Sequence, residues 1–288
     1  MVIPKEIREF CQKKIGNIQD FTPASGGCIN HGGTTTTTKG EFFLKWNSAS
    51  LYPKMFEVEA KGLQLLSEPK CIKIPEVIFT YEGDEYSCLI LENIKSSTKS
   101  NTYNKDLAEG LACIHQQKAE KYGLDHDNYM GSLDQSNAHS ASWADFFYKN
   151  RIAPQVKLAL SNGKMSQHDY DKFCELADKL PSLLSEEAPT LIHGDLWGGN
   201  IIVGASGEPV LIDPAVSFAH REMDLAMTTL FGGFDQSFYD AYMNISPLPE
   251  GYRERWDIYN LYPLLVHVNL FGGGYHTQAM NILSKFIR

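Results

Sequence analysis

The sequence LIHGDLWGGNIIVGASGEPVLID spans residues 191–213 and decides how the rest of the chain is interpreted. It begins as a short apolar strand, enters a polar loop rich in glycine, and continues into two further short strands separated by a turn. Asp195 and Asn200 lie in the loop, and Asp213 closes the last strand. Two carboxylates and a carboxamide therefore belong to one predicted loop system.

The spacing of these side chains is typical of a phosphotransferase loop. Protein kinases carry H-R-D-L-x-x-x-N, followed downstream by an aspartate that holds magnesium. The matching residues here are His193, Asp195, Leu196, Asn200 and Asp213, with Gly194 in place of the arginine. A plain turn between strands is the alternative, since Asp and Asn are common turn residues. A turn alone would not require all five residues at these positions, so the complete pattern favours a kinase.

These residue types suit phosphoryl transfer, in which a protein mainly positions groups and balances charge. Asp195 is expected to accept the proton of an attacking hydroxyl group. Asn200 and Asp213 are expected to supply oxygen ligands to magnesium, a hard cation that takes few protein ligands. Gly198 and Gly199 allow the backbone to turn tightly between the acid and the amide.

The composition is that of an ordinary globular protein, with 43% hydrophobic and 21% charged residues. A chain of 288 residues usually forms one large domain or two moderate ones. A net charge of −9 and a pI near 5.5 argue against a nucleic-acid partner. No apolar run is typical of a signal peptide or a membrane span, so we expect a cytoplasmic protein without a membrane partner. The six cysteines show no zinc-binding spacing.

A glycine-rich segment, ASGGCINHGG at residues 24–33, precedes a run of five threonines. Consecutive β-branched residues favour a strand, and Lys39–Gly40 favours a hairpin turn into a second strand at 41–46. Strands joined over a glycine-rich bend are typical of a loop that covers phosphates, so Gly26 and Gly27 are candidate nucleotide-binding residues. The segment matches neither common phosphate-binding motif, and a hairpin without a ligand is the alternative.

Lys45 lies in the apolar run FFLKW, where a buried ammonium is costly without a partner. The kinase pattern places a lysine on this strand to grip nucleotide phosphates and to pair with a glutamate of the next helix. The predicted helix offers Glu57 and Glu59. Glu59 lies three residues after Phe56 and four before Leu63 on the apolar face, so we predict that Glu59 is the partner.

Two further strands are predicted at 74–80 and 86–91, before a polar segment. In a two-lobed kinase this junction is where adenine meets backbone hydrogen-bonding groups. Glu92, Asn93 and Ile94 are therefore candidate nucleotide-binding residues by position, although an interdomain linker would have a similar sequence.

Helices dominate after residue 104 or so, including predicted helices at 142–160 and 167–180. His115 is expected to be a core histidine, and Asp224 is expected to brace the loop that carries Asp195. The predicted fold is α+β, a protein-kinase-like bilobal fold. Its lobes are a small antiparallel-sheet N-lobe at 1–93 and a larger, mainly helical C-lobe at 94–288.

Several segments distributed through the chain carry a family resemblance. They are SGGCIN (25–30), FFLKWN (42–47), MFEVEAKGL (55–63), YGLDHDNYMGSLDQSN (122–137), WADFFYKNRIAPQ (143–155), HGDLWGGN (193–200), DPA (213–215), HREMDLAM (220–227) and FGGGY (271–275). In these segments the chain resembles the fructosamine/ketosamine 3-kinase family, which is related to aminoglycoside phosphotransferases and choline kinases. The threonine run and His31 depart from the family pattern.

The resemblance implies phosphorylation of the sugar 3-hydroxyl of a ketosamine, with ATP and Mg²⁺ as cofactors. The 3-phosphate is expected to be unstable and to release the sugar, so the reaction would serve deglycation. The resemblance also implies that Asp195 is the base, that Asn200 and Asp213 hold magnesium, and that Lys45 with Glu59 positions the phosphates.

The resemblance also bears on the acceptor and on regulation. Trp197 is expected to pack on the sugar or the amine, with a structural tryptophan as the alternative. Cys28 is a possible redox-sensitive residue. The expected partner is a small or protein-bound glycated amine, and the expected assembly is a monomer or a homodimer. Alternative functions are a kinase of an aminoglycoside, choline or a simple sugar, or a nucleotide-binding scaffold without catalysis.

Overall fold

The computed structural model describes residues 2–24 and 30–287. Contacts divide the chain into two compact units. Unit 1 comprises Met1–Leu107 and Gly199–Pro214, and unit 2 comprises Ala108–Gly198 and Ala215–Arg288. The two lobes expected at 1–93 and 94–288 stay a prediction.

Helices and strands cover most of the described residues. The helices are α1 (Lys5–Lys14), α2 (Met55–Ser67), α3 (Tyr103–Ile114), α4 (Trp143–Phe147), α5 (Ala153–Ser161), α6 (Gln167–Leu183), α7 (Glu222–Thr228), α8 (Gln236–Ile245), α9 (Tyr252–Phe271) and α10 (Gly274–Leu283). The strands are β1 (Ile18–Pro23), β2 (His31–Thr37), β3 (Gly40–Ser48), β4 (Val77–Glu82), β5 (Tyr86–Glu92), β6 (Asn128–Met130), β7 (Leu133–Gln135), β8 (Thr190–Ile192), β9 (Ile201–Val203), β10 (Pro209–Leu211) and β11 (Ser217–Ala219).

Unit 1 contains an antiparallel sheet in the order β1-β2-β3-β5-β4. The threonine run forms most of β2, with Thr35 and Thr37 buried and their neighbours partly exposed. This alternation follows from the two-residue period of a strand. Thr37 pairs with Gly40 across the turn, so the predicted hairpin is confirmed.

One face of this sheet is covered by α1. The buried cluster consists of Ile3, Ile7, Cys11 and Ile15 from the α1 region, together with Leu44, Trp46, Cys88 and Ile90 from β3 and β5. Helix α2 packs on β4 and β5, and its buried residues include Phe56, Ala60, Leu63 and Leu66. The predicted apolar face of α2 is therefore correct, and this face fixes the direction in which Glu59 lies.

The short hairpin β9–β10 also belongs to unit 1, with Val210 paired to Ile202. Lys73 forms an isolated bridge to Val210, and Leu211 donates its backbone N–H to the Lys73 carbonyl at 3.1 Å. These bonds hold the end of β10 against the first segment of unit 1. Asp213 follows two residues later.

Unit 2 is mainly helical, and α9 packs against α5, α7 and α10. The predicted helix at 142–160 is interrupted, because α4 passes through a π-helical turn at Tyr148–Ile152 before α5 begins. Trp143 is fully buried and donates its indole N–H to Tyr259 at 3.1 Å. Within residues 2–24 and 30–287, no helix combines the length and apolar character that a bilayer-spanning segment needs.

Two short strands of unit 2 determine where the loop that carries Asp195 begins. β8 and β11 are antiparallel, with Ile192 opposite Ser217. The residues after β8 and before β11 therefore lie side by side, and Ala215 donates its N–H to the His193 carbonyl at 2.9 Å.

Candidate active site

In unit 1, the ammonium group of Lys45 lies between two carboxylates. Its Nζ is 2.7 Å from Glu59 Oε1 and 3.1 Å from Asp213 Oδ1. The side chains of Lys45 and Glu59 are only 7% and 11% exposed, whereas that of Asp213 is 45% exposed. Lys45 thus contacts the glutamate that the helical spacing predicts, while Glu57 pairs with Lys61 on the exposed face of α2.

The two carboxylates keep this lysine charged. Burial alone would lower the pKa of Lys45, because a low-dielectric environment disfavours the ammonium form. The charges of Asp213 and Glu59, with their hydrogen bonds, outweigh burial and raise the pKa of Lys45 above its ordinary value. Burial raises the pKa of Glu59, and the charge of Lys45 opposes that effect. The result is a fixed positive charge beside Asp213 at neutral pH.

Asn200 and Asp213 are neighbours in unit 1. The Ile212 N–H donates to the Asn200 carbonyl at 3.0 Å, and Asn200 Nδ2 lies 3.5 Å from the Asp213 carbonyl. Asp213 has a φ of +52°, a left-handed conformation that Asp tolerates better than most residues. An amide oxygen and a half-exposed carboxylate are donors that magnesium accepts, so these residues fit such an ion.

Asp195 lies in unit 2, three residues after β8, on a loop that requires glycine at position 194. Gly194 has a φ of +83°, and a Cβ there would lie 2.0 Å from the Ala215 carbonyl oxygen. Neither an arginine nor an alanine fits without moving the backbone. This contact explains why the chain has H-G-D where protein kinases have H-R-D.

Asp224 braces the same loop from α7. Its two carboxylate oxygens each accept a backbone N–H at 2.8 Å, one from His193 and one from Gly194. His115 Nε2 lies 3.2 Å from Asp224 Oδ2, and its Nδ1 lies 2.7 Å from the Tyr242 hydroxyl. Burial lowers the pKa of His115, so this ring is neutral at pH 7. The expected bracing and core roles of Asp224 and His115 match these contacts.

A second polar network in unit 2, which no local sequence pattern predicts, holds the backbone at Ala215. Gln135 Nε2 donates to the Ala215 carbonyl at 3.2 Å and to Asn128 Oδ1 at 2.8 Å. The Tyr262 hydroxyl donates to Gln135 Oε1 at 2.7 Å. These contacts fix the carbonyl against which Gly194 packs. Both Asn128 and Gln135 lie in the segment 122–137, one of the segments that carry the family resemblance.

Arg151 extends this network and is 1% exposed. Its Nη2 donates to Asn137 Oδ1 at 2.8 Å and to Ser217 Oγ at 3.2 Å. Burial lowers the pKa of Arg151 to about 10. The signal that could have identified it is its position four residues after Phe147, on the face of a helix whose aromatics are buried.

Trp197 belongs to the Asp195 loop, and its backbone N–H donates to the Asp195 carbonyl at 3.2 Å. The side chain is 37% exposed, so it is not a core tryptophan. Its ring meets Phe231 edge to face, with the centroids 5.9 Å apart. Gly198 packs against the glycines after Phe231, because a Cβ there would lie 3.2 Å from the Gly232 carbonyl oxygen.

The remaining candidates concern the nucleotide. Glu92 ends β5, where its side chain pairs with Lys73 and its N–H donates to the Glu76 carbonyl at 2.9 Å. Asn93 Oδ1 accepts a hydrogen bond from Thr34 at 3.1 Å. Gly26, Gly27 and Cys28 lie outside the described residues.

Comparisons with known proteins show the family of this chain. The fructosamine kinase family matches residues 3–288. A probable ketoamine kinase of Synechocystis is 38% identical over 274 residues, covering 94% of this chain and 91% of that protein. The chain belongs to the fructosamine kinase family. A chloroplastic protein-ribulosamine 3-kinase of Arabidopsis thaliana is 35% identical over 289 residues, covering 98% of this chain and 87% of that protein.

Solved structures establish the fold of this family member. A fructosamine-3-kinase candidate from Haemophilus somnus has a TM-score of 0.88 at 30% identity, covering 98% of this chain and 97% of that one. Aminoglycoside phosphotransferase APH(4)-Ia has a TM-score of 0.66 at 13% identity, covering 98% and 99%, which shows the fold alone. The predicted α+β, protein-kinase-like fold is therefore confirmed, and the chain is an ATP-dependent kinase of the fructosamine kinase family.

Proposed function

We propose that this kinase transfers the γ-phosphoryl group of ATP to the 3-hydroxyl of a ketosamine, with magnesium as the metal. The observation that carries the proposal is a buried, charged Lys45 held by Glu59 and Asp213 in a chain of the fructosamine kinase family. The relatives named ketoamine kinase and protein-ribulosamine 3-kinase support the same acceptor class. The 3-phosphate then releases the sugar, so the activity serves deglycation in the cytoplasm.

Asp195 orients and deprotonates the acceptor hydroxyl in this proposal. The support is its position on a loop whose backbone Asp224 holds through two hydrogen bonds. Such restraint suits a base, because a positioned group contributes to the rate when its geometry is fixed before the reaction. Trp197 offers an exposed ring two residues away for the sugar or the amine.

Lys45 grips the nucleotide phosphates, and Glu59 keeps its ammonium in place. Asn200 and Asp213 would hold magnesium, which neutralises charge on the phosphates when bound. Gly26 and Gly27 cover the phosphates, and the backbone at Glu92–Ile94 meets adenine. Since the Glu92 side chain and N–H already have partners, the nucleotide uses other backbone groups there. Cys28 is proposed as a redox-sensitive position, and the assembly as a monomer or homodimer.

A substrate panel tests the acceptor class. Fructosyl-lysine, ribulosyl-lysine, an aminoglycoside, choline and a simple sugar are compared by ADP release, and phosphorus NMR locates the phosphate. We expect turnover of a ketosamine with the phosphate on the 3-oxygen. Turnover of the aminoglycoside without turnover of either ketosamine would overturn the proposal.

Asp195→Asn tests the base. We expect kcat to fall by about 10²- to 10⁴-fold, the range for losing a positioned acid or base, while ATP affinity changes little. Asp178→Asn is the matched control, because it changes an exposed aspartate of α6 in the same way. Unchanged turnover by the Asp195 variant contradicts the assignment of the base.

Asp213→Asn tests the metal ligand. We expect the magnesium concentration for half-maximal activity to rise, and the binding of Mn²⁺ measured by electron paramagnetic resonance to weaken in parallel. Wild-type Mn²⁺ affinity in this variant, in the presence of ATP, would exclude Asp213 as a ligand.

A further inference from the structure

An exposed strip of aromatic rings begins at Trp197 and continues across unit 2. Phe231 lies next to Trp197, and its centroid is 4.8 Å from that of His267. The His267 ring in turn lies 5.4 Å from Phe271 and 4.8 Å from Tyr275. We call these residues the aromatic strip: Trp197, Phe231, His267, Phe271 and Tyr275.

The strip is accessible rather than part of the core. Trp197 and Phe231 are each 37% exposed and Phe271 is 53% exposed, which places them among the most exposed large apolar side chains described. Exposed aromatic groups that touch one another commonly mark a binding surface.

The strip carries no formal charge. No Asp, Glu, Lys or Arg occurs between Asp195 and Glu208, between Asp224 and Asp235, or between Asp257 and Lys285, and these segments supply all its rings. Burial lowers the pKa of His267, so its ring is neutral at pH 7. Its Nδ1 lies 2.7 Å from the Pro263 carbonyl, which accepts a hydrogen bond from it. Neutral aromatic rings favour an apolar or aromatic ligand group over a carboxylate.

The strip is continuous with the acceptor side of the proposed active site. Trp197 is two residues from Asp195, and its backbone N–H donates to the Asp195 carbonyl, so the strip begins on the loop that carries the proposed base. A ligand group bound further along the strip must be attached to the molecule whose hydroxyl reacts. In a ketosamine, the part beyond the sugar is the amine substituent.

The length of the strip indicates what the substituent is. An extended lysine side chain reaches roughly 6 Å from Cα to Nζ, because each of its five bonds of ~1.5 Å advances the zigzag chain by ~1.25 Å. That length matches one ring-to-ring step, from Trp197 to Phe231. The far end, at Phe271 and Tyr275, requires groups beyond the lysine itself, which a peptide supplies through its next residues.

We propose that the aromatic strip binds the peptide around a glycated lysine and favours an apolar or aromatic residue close to that lysine. This inference rests on the proposed function. The sugar lies at Asp195 and Trp197, the lysine stem follows Phe231, and the neighbouring side chain packs on Phe271 and Tyr275. The strip therefore selects which protein-bound ketosamines are repaired.

The test compares acetylated, amidated peptides that carry the same fructosyl-lysine. They differ only in the second residue after this lysine, which is Phe, Ala or Glu. Kinetics are measured for the wild type and for Phe271→Ala. We expect the Phe peptide to have a KM about 2- to 10-fold lower than the Ala peptide, the range for one aromatic pair, with similar kcat. Phe271→Ala should abolish this difference and leave free fructosyl-lysine turnover unchanged. Ile245→Ala is the matched control, because Ile245 is exposed on α8 and outside the strip.

Three outcomes overturn the inference. One is an equal KM for all three peptides, and another is a Phe preference that survives Phe271→Ala. The third is dependence on Phe271 for fructosyl-benzylamine but not for the peptides, which would assign the strip to small amines. Failure of the wild type to phosphorylate any ketosamine is different, because it refutes the proposed function itself.

Discussion

Removing the buried ammonium of Lys45 should destabilise unit 1 more than removing its glutamate partner. In Lys45→Met, Glu59 is left buried and has no second cation among the described residues. Losing one member of a buried ion pair costs ~3–5 kcal/mol in the free energy of unfolding. In Glu59→Gln, Lys45 keeps Asp213 at 3.1 Å, so we expect a smaller cost, about 1–2 kcal/mol.

The double variant Lys45→Met with Glu59→Met separates stability from catalysis. Replacing both members of a buried pair by apolar groups is often neutral, so we expect most of the lost stability to return. Asp213 is 45% exposed and is left to water. Activity should not return, because the proposed contact to the nucleotide phosphates is absent in both variants.

The deficit of Lys45→Met should also depend on pH. Burial raises the pKa of Glu59, and the opposing charge of Lys45 is gone in this variant. A group whose pKa is raised by folding stabilises the protein below its unfolded pKa and loses that effect as pH rises. The deficit relative to the wild type should therefore be larger at pH 8 than at pH 5.5.

Urea unfolding followed by far-UV circular dichroism at the two pH values measures all of these differences. ADP release measures activity in the same samples. Three results would each refute the proposed role of the Lys45–Glu59 pair: wild-type stability of Lys45→Met, a stability deficit that shrinks as pH rises, or renewed turnover by the double variant.

Three further predictions concern unit 2. Gly194→Ala should lose soluble, active protein, because its Cβ would meet the Ala215 carbonyl at 2.0 Å; a near-wild-type melting temperature would contradict this. Asp224→Asn should lower kcat and lower the free energy of unfolding by ~2–4 kcal/mol, because its amide NH₂ would face the backbone N–H of His193 or Gly194. Urea unfolding measures the change in stability, and ADP release measures the change in kcat. Burial and nearby cations lower the pKa of His220 to about 3. Because the unfolded chain takes up a proton at His220 that the folded chain does not, the free energy of unfolding should fall by roughly 2 kcal/mol between pH 6.5 and pH 5. His220→Gln should remove this loss, which urea unfolding at the two pH values measures.

Local patterns in the sequence were enough to predict several parts of the site. The run of β-branched threonines forms strand β2, and the 3.6-residue period places Glu59 rather than Glu57 beside Lys45. Such features depend on spacing within one strand or one helix, so neighbouring residues specify them.

Other features depend on contacts between distant residues and have no local signature. The need for glycine at position 194 arises from a carbonyl 21 positions later, at Ala215. The burial of Arg151 depends on acceptors at Asn137 and Ser217, and the π-helical turn there interrupts what reads as one continuous helix. Helical periodicity places Arg151 four residues after the buried Phe147, but it predicts neither the acceptors of its guanidinium nor the π-helical turn.

The hydrogen bonds that Asp224 accepts from the loop carrying Asp195 restrict the motion of that loop on the timescale of hours. The amide hydrogens of His193 and Gly194 both point into a carboxylate that is 1% exposed. Deuterium from the solvent can replace them only when the loop separates from α7. These two amides should therefore be among the slowest to exchange in unit 2, and their rates would report how often the loop that carries Asp195 detaches.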